Sequence, residues 1–534
     1  MADYDYIVVG AGSAGAVLAN RLSADPATRV CLLEAGKPDN SWQIDVPFGI
    51  VQLLKSRTYN WYYNTEPQAQ LNNRRLYWPR GKTLGGSSSI NAMVYIRGNP
   101  DDYDGWEREG AEGWGWRTLL PVFRQLERNE RGADAFHGAD GELNVADIAN
   151  PGPLTHEFIK ASIEAGLPAN PDFNGADQEG VGHYQVTQRQ GRRFSAARAF
   201  LDPIKSRPNL TIMTEARVAR VLLDGKTAIG VELIGGQRLL ARWETVLCGG
   251  AINSPQLLLL SGIGAGAALA EHGIETRHNL PGVGQNLQDH LDACIIAKDL
   301  TKRAVGLSAA LPGMLYRGIR EYRQSHTGMF ASNAAEAGGF ARLRPDSPYP
   351  EFQFHFLSSM LRDHGRKMSF GQGITLHCCQ LRPKSRGVVG LKSADPNADA
   401  LIQPNYLEHP DDLPELIAAL KLGRRIMASP ALQAVTGGHE TDPGPNRQSD
   451  SELIDYIRAS AETIYHPVGT CKMGTDPLAV VDPRLRVHGI ANLRVADASI
   501  MPRLIGGNTN APAMVIGEMA ARFMRAERNA RAEG

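Results

Sequence analysis

Tyr4-Asp5-Tyr6-Ile7-Val8-Val9-Gly10-Ala11-Gly12-Ser13-Ala14-Gly15 opens the chain with an apolar strand and a G-x-G-x-x-G turn, and a helical run to Leu22 follows. A second apolar stretch, residues 29–34, reads as a strand that ends in a carboxylate 24 positions after Gly10. In such a βαβ unit the glycines let the backbone approach a pyrophosphate, and the helix N-terminus faces its charge. The acid at the end of the second strand can accept a hydrogen bond from a ribose hydroxyl. The stretch therefore predicts a dinucleotide site that includes Gly10, Gly12, Gly15 and Glu34.

The composition of the chain is that of a soluble globular protein. It has 534 residues, 42% of them hydrophobic and 21% charged, which suits two or more domains. Lys plus Arg equals Asp plus Glu, 57 each, so a nucleic-acid partner is not expected. The six cysteines form no C-x-x-C pair, which predicts neither a metal site nor a disulfide framework. The first strand begins close to Met1 and leaves no room for a signal peptide. A cytoplasmic protein is the expectation, with peripheral attachment to the inner membrane as the alternative.

Five further segments resemble signature segments of the glucose–methanol–choline (GMC) oxidoreductases. They are residues 79–91 (PRGKTLGGSSSIN), 250–264 (GAINSPQLLLLSGIG), 280–290 (LPGVGQNLQDH), 465–474 (YHPVGTCKMG), and 494–499 (RVADAS) together with 507–512 (GNTNAP). They are long, occur in order and extend over nearly the whole chain. The resemblance implies an FAD-dependent enzyme that oxidises CH–OH groups.

The resemblance also implies an α/β fold, α+β overall, with two interleaved domains. We expect a Rossmann-like FAD-binding domain from residues 1–155, 190–300 and 456–534. Residues 156–189 and 301–455 are expected to form a substrate-binding domain, with a mixed or antiparallel sheet covered by helices.

Two side chains match the family's catalytic positions. Oxidation of an alcohol requires removal of the hydroxyl proton and transfer of a hydride to N5 of the flavin. His466 lies in the family's histidine segment and is expected to be the base. Asn508 occupies the position of a second catalytic group, where an amide can stabilise a developing alkoxide charge.

Further residues match positions that contact the cofactor. The predicted FAD-binding residues beyond the four named above are Ser13, Ala14, Ala35, Arg80, Gly85, Gly86, Ser87, Asn91, Ala92, Met93, Val94, Val218, Asp497, Ala498, Asn508, Thr509 and Asn510. Some members of the family attach FAD covalently to a histidine just before the Asn91 position. Ile90 stands there in this chain and has no nucleophile, so FAD is predicted to bind non-covalently.

A narrower resemblance concerns the substrate. Residues 353–357 (QFHFL) and 363–367 (DHGRK) are similar to segments of bacterial alcohol dehydrogenases that act on aliphatic alkanols or polyethylene glycol. The expected substrate is a small-molecule primary alcohol, oxidised to the aldehyde. Phe354, Phe356 and Tyr465 are candidate walls of its pocket.

The sequence leaves the electron acceptor open. The resemblance favours a quinone or another non-oxygen acceptor, and residues 311–322 could form a basic amphipathic surface helix. An oxidase that reduces O₂ to hydrogen peroxide is one alternative. A hydroxynitrile lyase, in which FAD plays no redox part, is another. A nicotinamide-binding reductase or a non-catalytic nucleotide-binding protein would use the N-terminal fingerprint alone. The oligomeric state is not predicted.

Overall fold

The computed structural model describes residues 2–367 and 369–533 and contains two large sheets. In chain order their strands are β1 (Tyr4–Val9), β2 (Val30–Leu33), β3 (Gly180–His183), β4 (Leu210–Met213), β5 (Val218–Asp224), β6 (Thr227–Leu233), β7 (Arg238–Leu247), β8 (Leu291–Lys298), β9 (Ala337–Ala341), β10 (Phe352–Leu357), β11 (Gly373–Gln380), β12 (Glu440–Asp442), β13 (Glu462–Thr463) and β14 (Leu493–Val495).

The longer helices have seven or more residues. They are α1 (Ser13–Leu22), α2 (Pro100–Arg108), α3 (Trp116–Leu126), α4 (Pro153–Glu164), α5 (Gly250–Leu260), α6 (Leu311–Ser325), α7 (Asp412–Met427), α8 (Pro430–Thr436), α9 (Asp450–Ser460) and α10 (Asn510–Glu533). Shorter helices lie at Trp42–Asp45, Ile50–Leu53 and Gly266–Glu271. Short strand pairs join Tyr63–Asn64 to Tyr77–Trp78, Glu127–Asn129 to Leu143–Val145, Gln188–Arg189 to Arg192–Arg193, Ile263–Gly264 to His278–Asn279, and Val388–Gly390 to Leu401–Gln403.

The first sheet brings the ends of its parallel strands to one edge. Its order is β4-β2-β1-β7-β6-β5, with β14 paired to β7. Strands β4, β2, β1, β7 and β14 run parallel, whereas β5, β6 and the first part of β7 form an antiparallel meander. Because parallel strands end at the same edge, Gly10 after β1, Glu34 after β2 and Asp497 after β14 come together there.

The second sheet is antiparallel in order β12-β8-β11-β10-β9-β3, with β13 beside β8. Helices α4 and α7 pack on one face, where their apolar residues share a core with alternate residues of the strands. Side chains alternate between the two faces of a strand, so the other residues of β8, β10 and β11 point away from these helices.

The two sheets match the predicted fold class, a Rossmann-like unit plus an antiparallel sheet covered by helices. The strand pairing differs from the expected segment boundaries at two places. Strands β8 and β13, assigned from the sequence to the nucleotide domain, pair within the second sheet. Within residues 2–367 and 369–533, no helix is both long and apolar enough to cross a bilayer.

Candidate active site

A cavity of about 970 Å³ is lined by residues of both sheets. Its wall contains most of the predicted cofactor residues: Gly10, Gly12, Ser13, Ala14, Glu34, Ala35, Arg80, Gly86, Ser87, Asn91, Ala92, Met93, Val94, Val218, Asp497, Ala498, Asn508, Thr509 and Asn510. Gly15 and Gly85 are not part of this wall. Gly15 permits close packing of α1, since an added Cβ would lie 1.9 Å from the Gly10 carbonyl oxygen. Gly85 has φ +82°, where a side chain would be strained.

The glycine turn after β1 leaves space for a ligand. Gly10 has φ +106°, and an added Cβ would lie 2.4 Å from the Cys248 carbonyl oxygen. At Gly12, by contrast, an added Cβ would meet no atom within 4 Å, although the residue lines the cavity. The turn at the start of α1 is therefore open on the side where a pyrophosphate can approach the backbone. This geometry fits FAD.

Glu34 lies at the cavity wall, just after the end of β2. Its side chain is buried, and its two oxygens accept hydrogen bonds from the backbone N–H groups of Gly36 (2.8 Å) and Ala11 (3.1 Å). Burial raises the pKa of Glu34 to about 7, against the lowering effect of these two bonds. Each oxygen keeps acceptor capacity toward the cavity.

The C-terminal segment closes the same end of the cavity. Asp497 accepts hydrogen bonds from the Gly250 N–H (2.8 Å) and the Ser254 hydroxyl (2.6 Å). At the start of α1, the Ser13 hydroxyl donates to Asn510 Oδ1 at 2.7 Å. This bond ties the glycine turn to the first residue of α10.

His466 and Asn508 meet at the cavity wall. The distance between His466 Nε2 and Asn508 Nδ2 is 3.1 Å. The amide of Asn508 is oriented by Gln353, whose Nε2 donates to Asn508 Oδ1 at 3.0 Å. Its amino group is thereby directed to the imidazole, and both side chains line the cavity.

A second histidine, absent from the predicted site, sets the proton positions of His466. His290 Nδ1 lies 2.9 Å from His466 Nδ1, and His290 Nε2 lies 3.2 Å from the Leu381 carbonyl oxygen. Because a carbonyl only accepts, His290 Nε2 carries a proton. Burial lowers the pKa of His290 to about 3, so its ring is neutral and its Nδ1 accepts. His466 Nδ1 must then be the donor, which leaves His466 Nε2 unprotonated beside Asn508.

The pKa of His466 is shifted in the direction that keeps its imidazole unprotonated. Burial lowers it well below its usual value, and His290, His355 and Arg80 add to the effect. The backbone of His466 is fixed by Asp289, whose Oδ1 accepts from the His466 N–H at 2.7 Å. Asp289 and His290 lie within the family-like segment 280–290. The resemblance of this segment was the feature of the sequence that could have identified them as site residues.

The second sheet contributes residues other than those predicted. Phe354 and Phe356 do not line the cavity, which corrects the expectation that they form its wall. They lie in the core beneath the helices, where Phe356 stacks on Phe158 of α4 with ring centroids 4.7 Å apart. Their neighbours His355 and Leu357, which point to the opposite face of β10, line the cavity instead.

His355 is buried, and its Nε2 has no hydrogen-bond partner among the described residues. Burial lowers the pKa of this imidazole to about 3. The ring is therefore neutral, and it carries a buried, unsatisfied nitrogen beside the cavity.

Tyr465 lies in the cavity wall, where it was predicted. Its hydroxyl contacts His364 Nδ1, and its carbonyl oxygen accepts from Arg80 Nη2 at 2.6 Å. Its backbone adopts φ +72°, a strained conformation for a residue with a side chain. The contacts on both sides hold it there.

Asp292, Cys294 and His377 form a polar cluster on β8 and β11. The potential ligand atoms of these residues lie within 4.8 Å of one another, and His377 lines the cavity. The expectation of no metal site was based on the lack of C-x-x-C pairs. A search for that motif does not find ligands that lie on two paired strands.

The remaining wall is largely apolar and includes helix α6. Its apolar members are Val305, Leu307, Leu311, Met314, Leu315, Met329, Leu357, Met360, Leu361 and Ile464. Gly318 is the one fully buried residue among the described residues of α6, while Tyr316 is 71% and Ile319 43% exposed. This side of the cavity suits an aliphatic ligand.

Comparison with known proteins agrees with this arrangement. Residues 4–292 and 383–517 match the sequence family described as GMC oxidoreductase. The chain is 52% identical over 527 residues to an alcohol dehydrogenase (acceptor) of Pseudomonas putida, covering 98% of this chain and 95% of that protein. It is 47% identical to the mitochondrial choline dehydrogenase of Homo sapiens, covering 98% and 90%.

One solved structure that resembles this chain comes from a protein studied for its FAD. It is an R554A variant of the formate oxidase of Aspergillus oryzae RIB40, studied for its FAD modification, with a TM-score of 0.91, 26% identity and 99% of both chains covered. GMC oxidoreductases are FAD flavoproteins, and the cavity described above fits FAD. By sequence family, fold and extent of similarity, this chain belongs to the GMC oxidoreductases.

Proposed function

We propose that the protein is an FAD-dependent dehydrogenase that oxidises a primary alcohol to the aldehyde. The observation that carries this proposal is the pair at the cavity wall, His466 Nε2 and Asn508 Nδ2, 3.1 Å apart. The hydrogen bonds of His290 leave His466 Nε2 unprotonated. When bound, FAD supplies the hydride acceptor, N5 of its ring.

His466 and Asn508 have different roles toward the hydroxyl group of the alcohol. His466 Nε2 takes the hydroxyl proton, and its depressed pKa keeps it unprotonated at neutral pH. The Asn508 amino group donates to the alcohol oxygen and stabilises the negative charge that develops there. An amide does not accept a proton near neutral pH, so proton removal is assigned to His466 alone.

The substrate class follows from the apolar part of the wall. Helix α6 and residues 305–307 supply aliphatic side chains to the wall, which favour burial of a methylene chain at about 0.8 kcal/mol per CH₂. An aliphatic primary alcohol is therefore the proposed substrate. The similarity to an alcohol dehydrogenase (acceptor) supports it.

FAD is proposed to bind without a covalent bond. Ile90 is buried at the cavity wall, and its side chain cannot attack the flavin. Acid or heat denaturation followed by centrifugation should leave all yellow colour in the supernatant. Colour that stays with the precipitate would overturn this part of the proposal.

The proposed acceptor is a quinone or another oxidant that is not oxygen, reached by a protein that docks peripherally on the inner membrane. The exposed residues Tyr316 and Ile319 of α6, together with Arg317, Arg320 and Arg323, support such a surface. A soluble quinone analogue should reoxidise the enzyme faster than air does.

One experiment tests these points in sequence. A panel of linear alcohols is added to the holoenzyme without oxygen, and the flavin absorbance is followed. Bleaching supports alcohol oxidation, whereas a flavin that stays yellow while a hydroxynitrile is cleaved would establish the lyase alternative. Air is then admitted. Peroxide formed at the rate of alcohol consumption would identify the protein as an oxidase and not a dehydrogenase.

A further inference from the structure

Arg193 is a buried cation without a carboxylate partner. The residue lies on the short strand Arg192–Arg193 and is 2% exposed. Within residues 2–367 and 369–533, no carboxylate oxygen lies within 4 Å of its guanidinium. The comparably buried Arg97 and Arg494 are each paired with a glutamate, Arg97 with Glu127 at 2.5 Å and Arg494 with Glu244 at 2.5 Å. A buried charge is normally compensated in this way, so Arg193 calls for another explanation.

Three contacts of Arg193 are with residues of the family-like segment 79–91. Its Nη1 donates to the Asn91 carbonyl oxygen (2.6 Å), to Asn91 Oδ1 (3.0 Å) and to the Ser88 carbonyl oxygen (3.2 Å). Its Nε donates to the Ile44 carbonyl oxygen at 2.9 Å. Its Nη2 has no partner among the described residues.

These bonds determine which groups of the segment can face the cavity. Asn91 Oδ1 accepts from Arg193 and also from the Met93 N–H at 3.0 Å. The oxygen end of the Asn91 amide is therefore held inside the protein, and its amino end is left for a ligand. Asn91, Met93 and Val94 all line the cavity, and Met93 adopts φ +58°, a conformation that needs support from its surroundings.

The charge of Arg193 is separated from the cavity by one residue, Asn91. Burial lowers the pKa of Arg193 to about 9, so the guanidinium is still protonated at neutral pH. The negative charge of Asp45 opposes this lowering, but Asp45 is paired with Arg198 at 3.0 Å. In a water-poor interior a positive charge with no carboxylate in direct contact acts over a longer distance than at the surface. It favours the gain of negative charge by a group on the other side of Asn91.

We propose that Arg193 is a positioning residue for FAD: it clamps Ser88 and Asn91 in the form that binds the flavin, and its unpaired charge raises the midpoint potential of the bound flavin. The inference depends on FAD binding, which is part of the proposed function, but not on the identity of the alcohol. It also explains why the guanidinium is retained in the interior without a counter-ion.

The test compares three holoenzymes with the wild type. Arg193→Met removes the charge and the clamp, Arg193→Lys keeps the charge but cannot reproduce the planar fork, and Arg192→Met is a control at the exposed neighbour. The two readouts are the midpoint potential, by equilibration with a reference dye, and the rate of FAD dissociation. Neither requires alcohol turnover, so failure of the substrate proposal would leave this test intact.

We expect Arg193→Lys to release FAD at least tenfold faster than wild type, with a midpoint potential close to it. Arg193→Met should release FAD at least as fast and also show a more negative potential, while Arg192→Met should match the wild type in both. If Arg193→Met does not fold, Arg193→Gln replaces it as the neutral variant. A neutral variant with wild-type potential would overturn the role of the charge, and an Arg193→Lys variant with wild-type FAD release would overturn the clamp.

Discussion

Substitution of two glycines in the N-terminal fingerprint by alanine should separate cofactor binding from folding. At Gly12 the backbone has φ −75° and ψ −164°, which alanine adopts without strain, and an added Cβ meets no atom within 4 Å. Loss of glycine from the unfolded chain stabilises by about 0.4–1 kcal/mol, whereas alanine is a poorer N-cap by up to about 1 kcal/mol. The free energy of unfolding of the apoprotein should therefore change by less than about 1 kcal/mol.

The same methyl group should weaken FAD binding strongly. It would stand in the space that the glycine turn leaves for the pyrophosphate. Overpacking costs about 1–3 kcal/mol, and a displaced hydrogen bond to a charged phosphate costs a further 1.5–3 kcal/mol, approximately. The two costs sum to about 2.5 kcal/mol or more, which corresponds to a loss of affinity of at least about 60-fold.

Gly15→Ala is the matched control. Its Cβ would lie 1.9 Å from the Gly10 carbonyl oxygen, so it should destabilise the apoprotein by about 1–3 kcal/mol. Urea unfolding of the apoproteins and FAD titration by flavin fluorescence give the two quantities for each variant. Normal FAD affinity in Gly12→Ala, or equal destabilisation of both variants, would refute the reasoning that assigns open space to Gly12 and packing to Gly15.

Four further predictions concern histidines. His466→Ala should slow anaerobic flavin bleaching by about 10²–10⁴-fold at unchanged FAD content, and a rate within twofold of wild type would exclude His466 as the base. Because the pKa of His466 is well below its usual value, the wild-type bleaching rate in stopped flow should stay level from about pH 6 to pH 9. His290→Phe removes the acceptor of the His466 Nδ1 proton and should lower kcat about tenfold with little change in KM; unchanged kcat would argue against control of the tautomer by His290. Burial lowers the pKa of His137, but its hydrogen bonds to Asp172 and Glu127 outweigh burial and raise it to about 9. Since this folded-state pKa lies above the unfolded value, the stabilisation is complete below about pH 6.5 and is lost as pH rises through about 9, on the order of 3 kcal/mol. Urea unfolding at both ends of this range should show the loss, and His137→Gln should abolish it.

Local patterns in the sequence sufficed for the nucleotide half of the fold. The strand before Gly10, the glycine turn, the helix after it and the acid at Glu34 are consecutive, and each depends on neighbours in the chain. Once parallel strands are inferred, their carboxyl ends must meet at one edge. The sequence therefore predicted where a dinucleotide would lie, and the long family-like segments predicted which cofactor it would be.

The face of the second sheet could not be decided from the sequence. Alternation shows that Phe354 and Phe356 share one face of their strand and that His355 lies on the other. It does not show which face is covered by helices, because that depends on α4 and α7, which are distant in the chain. Once these helices cover the phenylalanines, His355 must point to the cavity.

The arrangement of the residues around His466 was likewise decided by tertiary structure. His290 is 176 residues from His466 in the chain, and Asn508 is 42 residues from it. A motif names the residue type at each position, but the tautomer of His466 depends on hydrogen bonds between segments that meet only after folding. The same holds for Arg193, since burial without a counter-ion is a property of the packed interior and leaves no local pattern in the sequence.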